Sequence, residues 1–181
     1  MAEENRIQIR AMESADVQAL AGIDHSYHTN HVWQMEFLRS MDSSGVTFTD
    51  VRLPRSMRVD YPRAPWGSAD DDPVGNEVFV GMIAGEISGY IKLDNTQTAG
   101  GVWIKDIAVR RRFRRQGVGT AMVVRAQKYA LDQNYRRVFI EMQSKNYPGI
   151  CMANKLGFEF SGFADQYYEN QDIALFFKRR L

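Results

Sequence analysis

The chain has 181 residues, 44% hydrophobic and 25% charged, and 23 Lys and Arg against 22 Asp and Glu give it a net charge of +1. That length suits one domain with its own core, the apolar content excludes a disordered chain, and no apolar run nears the ~18 residues of a membrane span. Near-neutral charge gives no global pull toward nucleic acid or membrane, and a lone cysteine, Cys151, excludes an internal disulfide or a cysteine-based zinc site.

Residues 7–10 alternate apolar and polar and predict a first strand. Ser14 reads as a helix N-cap, with Asp16 in the first turn and Val17, Leu20 and Ala21 on the apolar face. A second helix is expected over residues 30–41, with Val32, Trp33, Phe37 and Met41 as its apolar positions, and residues 46–53 are β-prone. Residues 54–76 carry four of the five prolines, an isolated Tyr61 and Trp66, and the run Asp70, Asp71 and Asp72. They predict a long loop, either functional or a tolerated surface insertion. Runs at 77–84 and 87–93 flank Gly85-Glu86, a hairpin signal. Residues 102–109 form an apolar strand expected at the centre of the sheet. Val118, Ala121, Met122, Ala126, Tyr129 and Ala130 then recur at helical spacing, and residues 137–142 read as a strand. Pro148 suits the first turn of a helix ending near Gly157, with Ile150, Cys151 and Leu156 inward. Residues 158–163 and 173–177 supply two last strands. The pattern is a single α/β domain over residues 1–181, a mixed sheet flanked by about four helices.

The chemistry concentrates between the strand ending at Val109 and the helix that starts near Gly117. Five arginines lie there: Arg110, Arg111, Arg112, Arg114 and Arg115. A helix N-terminus offers unsatisfied N–H groups and about half a positive charge, so it attracts phosphate. Gly117 and Gly119 leave room for an anion to approach the backbone, and arginines add bidentate contacts. The Walker pattern is absent, and Met122 stands where a dinucleotide fingerprint needs its third glycine. The plainer reading is a glycine turn capping a helix beside a solvated arginine face. A nucleic-acid grip lacks an aromatic platform, since Phe113 is the lone aromatic among the arginines.

The hexapeptide from Arg114 to Gly119, preceded by Ile107-Ala-Val109 and Phe113, resembles the acetyl-CoA signature of the GNAT N-acetyltransferase superfamily. The order of elements fits as well: hairpin, buried strand, basic glycine turn, helix, strand, then Asn146 and Gly157-Phe158. The resemblance covers residues 7–177 and implies the GNAT fold with acetyl-CoA as cosubstrate and no metal. It implies that the backbone of Ile107 and Val109 holds the pantetheine arm. The amides of Arg115, Gln116, Gly117, Val118, Gly119 and Thr120, with the Arg114 side chain, would hold the pyrophosphate, and Asn146 would contact the cofactor.

Direct transfer to an amine requires that an ammonium of pKa about 10.4 lose a proton and that a fixed donor meet the developing oxyanion. Glu141 sits where ribosomal-protein N-acetyltransferases of the family carry their base, and Asp106 is a second candidate; either also reads as a solvated or paired strand carboxylate. Where many members have a tyrosine acid, this chain has Ala153, so Tyr167, Tyr168 and Tyr147 are the substitutes to weigh, each of which also reads as a packing residue. His25, His28 and His31 recur every three residues, but no carboxylate or cysteine pattern completes a metal site around them. They are expected to line the acceptor groove.

Several further segments are similar to the streptothricin and nourseothricin acetyltransferases. They are residues 23–27, residues 48–54, the Asp-rich stretch, Lys105-Asp106-Ile107, and Asn146 with Pro148. The resemblance implies a small cationic amine as acceptor, with neither nucleic acid nor membrane as partner. A protein N-terminal or lysine acetyltransferase and a non-catalytic acyl-CoA sensor are the alternatives. A charged start without an apolar run behind it gives the expectation of a cytoplasmic protein, and a homodimer stays open.

Overall fold

The computed structural model describes residues 6–63, 76–97 and 100–181. Seven strands form the main sheet: β1 (Gln8–Ala11), β4 (Asn76–Ile83), β5 (Glu86–Asp94), β6 (Gly101–Val109), β7 (Arg137–Gln143), β8 (Glu159–Ala164) and β9 (Ala174–Arg180). Their order is β1-β4-β5-β6-β7-β9-β8, so β6 is central, as its apolar run predicts. Every pairing is antiparallel except β6 with β7. That parallel step is bridged by α2 (Val118–Asp132), the helix over which a parallel crossover runs. A shorter helix, α1 (Val17–Ala21), follows β1, and α3 (Tyr147–Lys155) follows β7.

The two faces of the sheet carry separate cores. On one face Ile91, Leu93, Val102, Ile104, Val138, Ile140 and Phe177 pack with Met122 and Ala126 of α2 and Ile150 and Ala153 of α3. On the other, Leu20 and Ile23 cover Val80, Tyr90 and Ala108. Each large apolar side chain so buried contributes about 1.5–3 kcal/mol.

Most expected elements stand within a residue or two of their predicted bounds. The β4–β5 hairpin turns on Ala84 and Gly85, at φ 49° and 78°, one position earlier than the sequence signal suggested. Two positive φ values in succession are what a two-residue turn of matching twist requires. Ser14 is not an N-cap: it opens a single 3-10 turn (Ser14–Asp16), and Asp16 closes that turn by accepting from the Glu13 N–H at 2.8 Å. Three α-helices are present among the described residues rather than about four.

The difference has one source, the expected helix over 30–41. That segment is a strand, β2 (Tyr27–Arg39), paired antiparallel with β3 (Ser44–Val59) in a two-stranded sheet. Trp33, Phe37 and Met41 recur every four residues, but the pattern that buries surface has period two. Gln34 and Glu36 face out while Trp33 packs on Phe48, Phe160 and Phe177. Met41 lies beyond the strand and is fully exposed. The predicted loop also begins later than expected. The ladder passes from His31↔Arg52 to Thr29↔Met57, so Pro54 falls in a bulged stretch that requires no donor from it. Residues 64–75, with Trp66 and the three aspartates, lie outside the described residues.

Candidate active site

The site originates in a one-residue irregularity. Leu93 pairs with Ile104 and Lys92 with Asp106, so Lys105 is an extra residue on β6. Such a bulge bends its strand and resets the side-chain alternation. Before it, Val102 and Ile104 face α2 and α3; after it, Ile107 and Val109 take that face, and Ala108 turns to the opposite one beside Tyr90. Pairing of β6 with β7 ends at the same point, with Ile104↔Ile140 the last couple. Beyond it the two strands diverge and a cavity of about 80 Å³ opens between them, lined by Lys105, Asp106, Glu141 and Gln143 among others.

Two carboxylates flank the gap. Asp106 on β6 accepts from the Tyr90 hydroxyl. His25 Nε2 lies 2.7 Å from that hydroxyl and 3.6 Å from Asp106 Oδ2. The Tyr61 ring stacks on His25 at 4.7 Å, and its hydroxyl also bonds Asp106; burial and then the Asp106 charge push the Tyr61 phenol up. Glu141 on β7 is ion-paired with Arg63. Tyr167 donates to Glu141 Oε2 at 3.1 Å, and burial followed by the Glu141 charge raises the pKa of both Tyr167 and Tyr168. Lys105 is pulled down by burial and by the Arg63 charge. A network beneath fixes the tyrosine-bearing loop: Tyr27 donates to Gln143 Oε1 at 2.9 Å, and Gln143 donates to Asp172 at 2.6 Å. Asp172 also pairs with Lys145, and its carbonyl accepts from the Tyr167 N–H at 3.1 Å.

On the α2 side lies the glycine turn. Gly117 at φ 89° precedes the helix, and no side chain caps it. The N–H groups of Val118, Gly119 and Thr120 therefore point from the helix start without an intrahelical acceptor. Gly119 has a packing reason as well, because a Cβ there would meet Met152 Sδ of α3 at 3.2 Å. Asn146 lines the cavity and caps α3, its Oδ1 accepting from the Gly149 N–H at 3.0 Å.

The arginines divide in a way their clustering conceals. Arg110 donates to the Ala19 carbonyl and Arg112 pairs with Glu86. Arg114 is bound to three carbonyls: Val109 at 2.8 Å, Ser26 at 2.6 Å and Asp24 at 2.5 Å. Its side chain, expected to grip pyrophosphate, is engaged in these internal bonds. The side chains of Arg111 and Arg115 have neither hydrogen-bond nor ion-pair partners among the described residues, and Arg115 holds a strained φ of 65°.

Other expectations are redistributed. Of the three histidines only His25 lines the cavity; His31 bonds Asp50 at 2.7 Å and stacks on Tyr147, and His28 is exposed on β2. Cys151 is exposed rather than inward, because Ile150 and Ala153 form the buried face of α3. Ala153, 1% exposed in the core, offers no proton donor. Tyr61 and Arg63 were hidden from sequence reasoning inside an expected loop, and the isolated Tyr61 was their one signal.

The model of the acetyltransferase (GNAT) family matches residues 35–158, more than half of the sequence. The chain belongs to the GNAT family. Streptothricin acetyltransferase of Streptomyces lavendulae is 22% identical over 167 residues, which cover 90% of this chain and 86% of that protein. The crystal structure of a nourseothricin acetyltransferase superposes with a TM-score of 0.80 at 21% identity, covering 96% of this chain and 98% of that one. A Bacillus anthracis protein assigned as a streptothricin acetyltransferase, solved with acetyl coenzyme A, gives 0.76 at 22% identity, covering 97% and 100%. The GNAT enzyme described here is thus an N-acetyltransferase whose bulge, strand gap and glycine turn meet at one place in the fold.

Proposed function

We propose that this enzyme transfers acetyl from acetyl-CoA directly to the primary amine of a small cationic molecule of the streptothricin type. One observation carries the reading. Asp106 and Glu141 stand on diverging strands on either side of the gap, on the sheet face away from α2.

The residues on the α2 side fit the carrier. The amides of Val118, Gly119 and Thr120 would meet its pyrophosphate, with Arg111 and Arg115 free to add charge. The parted edge of β6 at Ile107 and Val109 would hold the pantetheine arm. Acetyl-CoA, when bound, supplies the thioester carbon.

On the opposite side Asp106 takes the proton of the incoming ammonium. It is the better acceptor of the two carboxylates, since the Arg63 guanidinium neutralises Glu141. An N–H of β6 near the bulge meets the oxyanion, where one such donor is worth roughly 10²–10³ in rate. Tyr167 and Tyr168 aim at Glu141 and order it, and the sulfur departs as a thiolate, whose pKa is about 8.5.

A wider groove of about 600 Å³ adjoins the cavity, lined by Arg58, Asp60, Lys145, Glu169 and Asp172 among others. Arg58 pairs with Asp60, Lys145 with Asp172, and Arg63, which also lines the groove, with Glu141 of the adjoining cavity, which leaves Glu169 without an ion-pair partner there among the described residues. That charge and the likeness to streptothricin acetyltransferases support a cationic acceptor.

The test is incubation with acetyl-CoA and a panel of streptothricin, polyamines and peptides, following free thiol and product mass. Acetylated streptothricin or polyamine is expected. Acetylated peptide alone, or tight CoA binding without turnover, overturns the reading.

A further inference from the structure

We propose that Arg114 is a positioning residue that couples the glycine turn to proton acceptance on the far face of the sheet. This inference rests on the assignment of Asp106 as proton acceptor. The guanidinium donates to the carbonyls of Asp24 and Ser26, the residues on either side of His25. Its third bond, to the Val109 carbonyl, anchors it to the end of β6. One planar fork thus fixes the His25 backbone to the strand that carries Asp106, a task suited to arginine's rigid donor geometry. The same loop is tightened by the Ser26 N–H, which donates to Asp24 Oδ1 at 2.9 Å.

His25 is what this fixation serves. Its side chain is 10% exposed, sandwiched between the Tyr61 ring and the Tyr90 hydroxyl that donates to Asp106. The groups that face Asp106 are therefore His25 from the loop before β2, Tyr61 after β3, and Tyr90 and Lys92 from β5, Lys92 being its register partner. Lys105 adjoins it on β6, and Arg63, Glu141 and Tyr168 line the same cavity. In the reaction the ammonium N–H bond breaks and its proton passes to the Asp106 carboxylate and on to solvent. The free amine forms its bond to the thioester carbon, the C–S bond breaks to release the thiolate, and the second proton lost from nitrogen as the amide forms is taken up by that thiolate. His25 and Tyr90 hold that carboxylate in the orientation that receives it. Because Arg114 sits within the turn itself, its two hydrogen bonds tie the turn directly to the loop that carries His25.

The test compares Arg114→Met, Arg114→Lys, His25→Asn and the double variant Arg114→Met/His25→Asn. For Arg114→Met, kcat is expected to fall about 10- to 100-fold with the Kd for CoA changed by less than about threefold, and the pH profile of kcat/KM to move. His25→Asn gives a similar loss, and the double variant is no worse than the poorer single one, since both remove one coupled unit. Arg114→Lys, which keeps the charge but not the fork, moves the His25 ring resonances in the NMR spectrum of the free protein. A tenfold or larger rise in the Kd for CoA with kcat and pH profile unchanged makes Arg114 a phosphate ligand and overturns the proposal. So do additive losses in the double variant, or unmoved His25 ring resonances. Wild-type protein that binds no CoA defeats the functional reading instead, while the NMR comparison of His25 resonances still tests the Arg114–His25 coupling.

Discussion

Arg63 bridges the two strands that diverge at the site: it is ion-paired with Glu141 on β7 and donates to the Lys105 carbonyl on β6 at 3.4 Å. Its side chain is 29% exposed and that of Glu141 only 7%, so the pair stands in a partly dry setting. A carboxylate held this way is an anchor and an electrostatic element more than a free base. Asp106 accepts instead from the Tyr90 hydroxyl beside His25, which is why it is the carboxylate proposed to take the proton.

Replacement of the two carboxylates separates their roles. Asp106→Asn should lower kcat by about 10²–10⁴, the usual range for loss of a general base, while Glu141→Gln should cost only about tenfold. Neither change should weaken CoA binding by calorimetry. A larger loss for Glu141→Gln than for Asp106→Asn reverses the assignment, and unchanged kinetics remove Glu141 from the mechanism.

Arg115 combines a strained backbone with an unpartnered charge. Arg115→Gly relieves the positive φ and should raise stability by about 1 kcal/mol, less the greater freedom glycine gives the unfolded chain. It also removes a cation from the turn proposed to hold the pyrophosphate, so the Kd for CoA should rise and become less sensitive to salt. Thermal melting and titration at two ionic strengths read the two effects separately. Lower stability with unchanged affinity would show that Arg115 has a packing role instead.

Acid sensitivity is predicted at Asp16, 6% exposed beneath α1. Arg10 donates to both its oxygens, at 2.6 and 2.8 Å, and this hydrogen bonding holds the carboxyl below its ordinary range. Because the folded pKa lies below the unfolded one, the stabilisation is complete above the unfolded value near 4 and is lost as pH falls through the folded value. Asp16→Asn should therefore lower Tm by about 3–10 °C at pH 7. The gap between variant and wild type should close as the pH falls through the folded value.

How much of this was legible in the sequence depends on range. The Gly117 turn, the α2 spacing and the central β6 strand are local signals, and the structure agrees with them. The carboxylates were visible as residue types, yet their unequal roles come from Arg63 and Tyr61. Those residues approach from a segment more than forty positions away, and proline content had marked it as a loop. The internal bonds of Arg114 were illegible for the same reason, since five adjacent arginines look equivalent until the carbonyls of Asp24 and Ser26 are placed beside one of them. The β2 error was a choice between two periods, resolved by Phe48, Phe160 and Phe177 closing on Trp33.

Acceptor recognition is tested at Glu169. Glu169→Gln should raise KM for a dicationic amine several-fold while leaving kcat and the Kd for CoA near their wild-type values, and added salt should shrink the difference. An equal effect on a neutral amine would show that the groove does not select by charge.

A crystal structure with CoA bound is the most direct measurement of all. The account predicts pyrophosphate oxygens within hydrogen-bond distance of the Val118, Gly119 and Thr120 amides, and the sulfur in the gap between Asp106 and Glu141. A carrier seated elsewhere, or a sulfur that reaches neither strand, would contradict it.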